Sequence, residues 1–223
     1  MLVRVILATM LLAGGLVAAP LSVARADAET CPPVCDKIPD SAWIRPRAVP
    51  LNSTYHWPSL AGIAVPLTGA TPRFRFEELC ATPEFPQDTR DSAVASRATV
   101  VNPQGQWQLQ AQVLHWRGDT ARGGQNVSSV FNIAAAALRG CQLGSPAQSP
   151  SVTVDGANRL AVVISGPVIM HTYLVAHPQS STISELTLWS STPPQVPWPV
   201  ISDDQVLDAM TAPICEAYIA SCP

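Results

Sequence analysis

All six cysteines of this 223-residue chain follow an apolar N-terminal run, and that order restricts the folds open to it. Arg4 supplies one positive charge, residues 5–21 are mainly apolar, and Ala24-Arg25-Ala26 has the small-x-small form of a cleavage site. This three-part layout predicts a secretory signal peptide at residues 1–26, and therefore a secreted protein. The alternatives are cleavage after Ala28, or retention of the run as a membrane anchor, since it is nearly long enough to span a bilayer.

The cysteines that remain after cleavage predict a disulfide-stapled protein, because an even number in an oxidising compartment is typical of paired thiols. A metal site would favour C-x-x-C pairs, whereas the short spacings here are C-x3-C and C-x6-C. A lipid anchor on Cys31 is disfavoured, because Ala28-Glu29-Thr30 is not a lipobox. The predicted disulfide cysteines are Cys31, Cys35, Cys80, Cys141, Cys215 and Cys222.

The charge of the chain excludes one class of partner. Without residues 1–26, 11 basic residues remain against 16 acidic ones, a net charge of −5. Nucleic-acid binding needs clustered basic residues, so no nucleic-acid partner is predicted. No later segment approaches a membrane span, so no membrane contact is predicted after cleavage. Lys37 is the single lysine, which together with abundant alanine and proline is typical of a high-GC, actinobacterial genome.

Two parts follow the predicted signal peptide. Residues 27–95 are rich in proline, which removes backbone donors, so they are predicted to wrap irregularly over a core, with short strands at 61–67 and 72–78. Residues 96–223 carry periodic patterns and form the predicted α+β domain. The alternation in residues 107–113 predicts a strand with one buried face and one wet face.

A helix is predicted after this strand. Apolar residues from Val127 to Cys141 fall at helical spacing, with Asn126 or Ser128 as the cap and Gly140 as the stop. The preceding stretch, residues 122–126, is interpreted as a loop. An antiparallel meander is then predicted from short connections between its strands. Its strand candidates are residues 151–154, 160–165, 168–176 and 182–190.

The pattern of the C-terminal segment predicts a second helix that begins at the capping box Ser202–Gln205. Pro213 is predicted to kink this helix. A continuous helix would separate Cys215 from Cys222 by about 10.5 Å along its axis, too far for these two to pair. Cys80–Cys141 is the favoured pair. The predicted fold class is α+β: an antiparallel sheet of about five strands with one long helix packed on it, a kinked C-terminal helix and disulfide staples.

Common catalytic motifs are missing from the sequence, which contains no G-x-S-x-G, P-loop, G-x-G-x-x-G or H-E-x-x-H pattern. His171 and His177 would lie about 20 Å apart on one strand, too far to share a metal ion. His115 near Asp119 carries no triad signature. No catalytic residue, metal ligand or cofactor is therefore predicted, and an enzyme is disfavoured.

The candidate ligand-binding residues are Tyr55, His56 and Trp57, an aromatic cluster in the proline-rich part. Exposed aromatic rings stack on sugars and on peptide side chains, so the predicted partner is an envelope glycan or peptide. The alternative places Trp57 in the core, where large aromatic residues usually lie.

From residue 98 onward the predicted order is hairpin, helix ending at Cys141, antiparallel meander and cysteine-bearing terminal helix. This order resembles the extracellular sensor domains of mycobacterial Ser/Thr protein kinases and related small exported actinobacterial proteins. The resemblance implies a disulfide-stapled antiparallel sheet backed by helices, with a cleft for a ligand. This sequence departs from those domains in the Cys31–Cys35 segment ahead of the domain and in containing neither a kinase domain nor a transmembrane linker.

Three functions are compatible with these features. The favoured one is a secreted, non-catalytic binding or sensor-like module of the cell envelope. The second is a secreted hydrolase that acts on envelope polymers, and the third is a structural exported protein without a small ligand. A deep cleft lined by histidine or carboxylate groups with shifted pKa values would favour the hydrolase.

Overall fold

The computed structural model describes residues 36–68 and 71–218. Within these ranges the chain forms one seven-stranded sheet, six α-helices and short 3-10 turns. The helices are α1 (Asn52–Tyr55), α2 (Leu60–Ile63), α3 (Arg75–Leu79), α4 (Thr120–Arg139), α5 (Cys141–Gly144) and α6 (Asp203–Ala217). The strands are β1 (Val65–Pro66), β2 (Val94–Val100), β3 (Gln108–His115), β4 (Ser149–Asp155), β5 (Arg159–Ser165), β6 (Val168–His177) and β7 (Thr182–Ser191).

The sheet is antiparallel throughout, with the strand order β1-β2-β3-β7-β6-β5-β4. The predicted α+β class and the meander are therefore confirmed. The prediction of about five strands was too low, since seven strands lie within the described ranges. The two edge strands are the least regular: β1 has only two residues, and β4, which contains the strand candidate 151–154, is largely exposed.

Both faces of the sheet are covered in this structure. Helices α3 and α4 pack on one face, while α6 and residues 38–60 of the proline-rich part pack on the other. The predicted wet face of residues 107–113 is therefore wrong: Gln110 and Gln112 are 6% and 0% exposed. Their amides can be buried because they find hydrogen-bond partners there, with Gln112 Oε1 accepting from Arg97 Nε at 2.7 Å.

The two strand candidates of the proline-rich part need correction. Residues 60–63 form helix α2, and only Val65–Pro66 pair with β2. Residues 75–79 form helix α3 instead of a strand. The Glu77 carboxylate accepts the Phe74 N–H at 2.6 Å, which caps this helix locally and outweighs the strand propensity of the two phenylalanines.

Helix α4 begins at Thr120, earlier than predicted, because Asp119 Oδ1 accepts the Arg122 N–H at 2.9 Å and caps it there. Gly123 and Gly124 thus lie inside the helix and not in a loop. They are required because the chain after β6 passes very close. A Cβ on Gly123 would lie 2.2 Å from Ser181 Oγ, and one on Gly124 would lie 2.9 Å from the Pro178 carbonyl oxygen.

The predicted Cys80–Cys141 disulfide is confirmed, with a Cα–Cα distance of 4.7 Å. Cys215 is also disulfide-bonded, and its partner lies outside the described residues. Cys31, Cys35, Cys222 and the predicted signal peptide lie outside them as well. Within residues 36–68 and 71–218, no helix is long and apolar enough to cross a membrane.

The contact of Gly123 with Ser181 gives a test of the fold. We expect Gly123→Ala to lower the free energy of unfolding by about 2 kcal/mol, because overpacking outweighs the better helix propensity of alanine. Urea unfolding measures the change. Adding Ser181→Gly should restore most of the loss, because it removes the colliding hydroxymethyl group at a position whose φ of 54° suits glycine.

The control for this pair is Gly62→Ala, since the nearest atom to a Cβ there is 3.7 Å away. It should leave stability nearly unchanged. Equal stabilities for Gly123→Ala and the wild type would contradict the close packing of α4 on residues 178–181.

Candidate functional site

A groove runs between α4 and residues 80–88, and we call it the helix groove. It consists of two adjoining cavities of about 190 and 360 Å³. Phe85 and Ile133 line both cavities, so they form the saddle between the narrow and the wide part. The wide part is lined mainly by apolar groups. These include Cys80, Pro83, Ala136, Ala137, Leu143 and Gly144.

The helix groove leaves large apolar side chains in contact with solvent. Phe85 is 40% exposed, Ile133 is 41% exposed and Leu143 is 91% exposed. Ile133 lies on the side of α4 that faces away from the sheet, opposite the core residues of this helix. The groove is therefore an apolar surface that extends from the core cluster on the α4 side, with which it shares Phe74, Cys80 and Val130, to the solvent.

The walls of the helix groove are held at a fixed distance by the Cys80–Cys141 disulfide. Cys80 follows α3 directly and Cys141 follows α4, so the bond joins the ends of the two walls. The chain at Gly144 approaches the same point closely, because a Cβ there would lie 2.4 Å from the Cys80 carbonyl oxygen. The disulfide and this close approach thus fix the wide end of the groove.

A buried charge cluster closes the narrow end of the helix groove. Arg90, 4% exposed, donates to both carboxylate oxygens of Glu77 at 2.8 and 3.0 Å and to Asp88 Oδ2 at 2.6 Å. Its guanidinium lies 5.1 Å from the centre of the Phe74 ring. Burial alone would raise the pKa of Asp88, but the hydrogen bonds and charge of Arg90 hold it below its ordinary value.

Helix α3, which leads directly into residues 80–88, is attached to the sheet by a buried carboxylate. Glu185, on β7, is 0% exposed, and its Oε1 accepts the N–H of Arg75, the first residue of α3, at 2.8 Å. Thr187 Oγ1 donates to the same oxygen at 3.1 Å, and Gln110 Nε2 donates to Oε2 at 3.3 Å. Burial raises the pKa of Glu185 to about 7, although these hydrogen bonds oppose the rise.

The three ligand-binding candidates from the sequence lie elsewhere, on the α6 side of the sheet. Trp57 is 4% exposed and donates from Nε1 to the Pro50 carbonyl oxygen at 2.7 Å, so its ring belongs to the core. Tyr55 stacks on Trp57 with ring centroids 4.8 Å apart, and His56 is exposed. A ligand from solvent would therefore meet His56 and part of Tyr55, and not the indole of Trp57. Ligand binding by this cluster stays a prediction.

The other histidines are built into packed surroundings. His171 stacks on Trp198 with centroids 3.6 Å apart, and burial lowers its pKa to about 4, so the ring is neutral at physiological pH. His115 stacks on Tyr218 with centroids 4.5 Å apart. His177 Nδ1 lies 2.9 Å from Ser180 Oγ. Within the described ranges, no three His, Cys, Asp or Glu side chains come together as a metal site.

Sequence reasoning missed the residues of the helix groove. Ile133 is the one large aliphatic residue of α4 that lies outside the apolar stripe from Val127 to Leu138. Phe85 lies between Pro83 and Pro86 in the sequence. A large apolar residue on the polar side of an amphipathic helix is a signal that could have found this surface. Its partner wall could not be found, because residues 80–88 have no periodicity.

Comparisons with known proteins add no relative to this picture: no protein-family model, no curated protein and no solved structure matches the chain. The resemblance to kinase sensor domains remains a hypothesis from element order.

The raised pKa of Glu185 predicts a pH dependence of stability. The folded-state pKa of about 7 exceeds the ordinary 4.5, so between these pH values the folded state holds more protons than the unfolded state. This group therefore favours folding most below pH 4.5, and the advantage is lost as the pH rises to about 7. The Glu185→Gln variant should not lose stability in this pH range, because glutamine does not titrate. Its free energy of unfolding at pH 8 should be roughly 3 kcal/mol above that of the wild type.

Urea unfolding of both proteins between pH 4 and 8 measures the difference, which should grow with pH and level off above about 7. A difference that does not vary with pH would contradict the titration of Glu185 in the folded protein. The control is Gln104→Ala, at an exposed position without a titratable group, and its difference from the wild type should not vary with pH.

Proposed function

We propose that this chain is an exported, non-catalytic binding module of the cell envelope, and that the helix groove binds an amphiphile with a single aliphatic chain. The observation that carries the proposal is the change of lining along one continuous groove. The wide part is lined by apolar side chains, while the narrow part adds Gln87, Thr89 and Ser129 beside the buried charge cluster. An amphiphile matches this change of polarity, with its chain on the wide part and its polar head at the narrow end.

Each part of such a ligand finds a suitable environment. Transfer of an aliphatic chain from water onto Phe85, Ile133 and the alanines of α4 contributes about 0.8 kcal/mol for each buried CH2 group. The polar head meets neutral hydrogen-bonding side chains and not a free guanidinium, because Arg90 is already paired with both Glu77 and Asp88. The disulfide-held walls reduce the entropic cost of binding, since little of the groove has to be ordered.

A glycan is a weaker candidate for this groove than an aliphatic chain. Sugar binding uses flat aromatic faces flanked by hydrogen-bonding groups, and Phe85 is the one aromatic side chain exposed in the wide part. A hydrolytic function finds little support in the pair formed by His177 and Ser180. Ser180 is 4% exposed, and its hydroxyl donates to the carbonyl oxygen of His177 at 3.2 Å instead of facing a cleft.

The proposal is tested by filling the wide part of the groove. Ala136 is exposed and lines it, so Ala136→Trp should block the groove without disturbing the core. We expect the wild type to bind palmitate in calorimetric titrations and the variant to lose this binding. The matched control is Ala121→Trp, at an exposed position of the same helix outside the groove, and it should bind as the wild type does.

A smaller substitution measures the contribution of the saddle. Ile133→Ala should weaken palmitate binding about fivefold to tenfold, because fewer CH2 groups are covered by the ligand. Val152→Ala, at a position 40% exposed on β4, should leave it unchanged. Binding of palmitate that survives Ala136→Trp, or a wild type that binds maltotriose or an amphipathic peptide in its place, would overturn the assignment of the ligand.

A further inference from the structure

The charged groups at the helix groove compensate one another. Among the described residues, those that line the wide part include no acidic, basic or histidine side chain. The charged residues that line the narrow part are Glu77, Asp88 and Arg90. Their side chains are 3%, 10% and 5% exposed, so each of them is covered by the others and by the protein.

The hydrogen bonds of this cluster leave no guanidinium nitrogen over. Nη1 and Nη2 of Arg90 donate to the two carboxylate oxygens of Glu77 at 2.8 and 3.0 Å. Nη2 also donates to Asp88 Oδ2 at 2.6 Å, and Nε donates to both oxygens of Asp88 at 3.0 Å. All four carboxylate oxygens thus accept from Arg90. An incoming ion of either sign would have to break this cluster to find a partner in it.

The charged side chains next to the cluster are paired as well. Arg73 Nε lies 3.8 Å from Glu77 Oε2, and its Nη1 lies 3.6 Å from Glu84 Oε1. Three carboxylates and two guanidinium groups therefore meet at the narrow end, a net charge of −1. Beyond the wide end, Arg139 pairs with Asp155 at 2.6 Å. These groups leave a small excess of negative charge and no cation for an anionic ligand.

The remaining polar groups of the narrow part are neutral. They are the Gln87 amide and the hydroxyls of Thr89 and Ser129, and all three residues are exposed. Together these groups can both donate to and accept from hydroxyl groups of a ligand. A charged head that gives up water here without a counterion loses free energy, whereas a hydroxyl head exchanges water for these hydrogen bonds.

We propose that the helix groove selects an uncharged, hydroxyl-bearing head, so that its ligands are monoacylglycerols and similar neutral esters and not free fatty acids. This inference rests on the function proposed for the groove and names the class of its ligand. An anionic head meets the net negative charge of the narrow end, and a cationic head finds both carboxylates already occupied by Arg90. A fatty acid still binds through its chain, but more weakly than its glycerol ester.

The experiment compares three probes that carry chains of the same length: laurate, dodecyltrimethylammonium and monolauroylglycerol. Each is titrated into the full exported chain at neutral pH and low salt, below the concentration at which it forms micelles. We expect monolauroylglycerol to bind about tenfold more tightly than either ion. Equal affinities, or tightest binding by one of the ions, would overturn the inference and leave the proposed function standing. If none of the three binds, both are wrong.

A lysine placed at the narrow part separates recognition of the head from binding of the chain. Ser129→Lys adds an unpaired cation at an exposed position that lines this part. It should tighten laurate binding about tenfold and change monolauroylglycerol binding less than about twofold. The matched control is Ala121→Lys, on the same helix outside the groove, which should leave the ratio of the two affinities unchanged. The same unchanged ratio in Ser129→Lys would refute the placement of the head at the narrow end.

Discussion

The buried carboxylate of Glu185 joins the sheet to the segment on which the helix groove depends. Its oxygen accepts the first N–H of α3, and that short helix then supplies Phe74 and Glu77 to the narrow end of the groove. A helix of five residues cannot be stable by itself, because nucleation costs more than one or two hydrogen bonds return. The helix is stable here because the buried Glu185 carboxylate accepts its first N–H, and because the Cys80–Cys141 disulfide fixes the residue that follows its last turn.

This attachment requires a polar layer inside the protein. Gln110, Gln112 and Thr187 surround Glu185 on the same face of the sheet, and each has a hydrogen-bond partner. Burial of a carboxylate is costly, and burial raises the pKa of Glu185 although the charge of Arg97 opposes the rise. The hydrogen bonds offset part of that cost and fix the register of α3 on the sheet, which an apolar contact would not do.

The same layer explains why the sequence predicted some features well and others badly. The class, the meander and the Cys80–Cys141 pair follow from local periodicity and cysteine placement, which survive in the fold. The glutamines of β3 follow a pattern typical of a solvent-facing strand, yet their partners come from residues 72 and 185, far away in the chain. Periodicity reports the polarity of a side chain and not whether another segment covers it.

The two glycines near the start of α4 were interpreted as a loop for a related reason. Gly123 and Gly124 indicate a loop by local propensity, but they serve the close approach of α4 to the turn after β6. The groove walls escaped prediction because residues 80–88 gain their position from Arg90 and a disulfide rather than from a regular pattern. Local signals thus identified the sheet and its helices, whereas the candidate site depends on three contacts between distant segments: Glu185 with Arg75, Arg90 with Glu77, and Cys80 with Cys141.

The Cys80–Cys141 disulfide and Cys215 lie on opposite sides of the sheet. Cys80–Cys141 closes a loop with a sequence separation of 61 and lies in an apolar cluster, where the two residues are 2% and 1% exposed. Its burial suits a bond that fixes the spacing of the groove walls. Cys215 lies at the other side of the sheet, with its Sγ 3.6 Å from His177 Nε2. The spacing of the groove walls therefore depends on Cys80–Cys141 and not on the disulfide of Cys215, because the sheet separates the two.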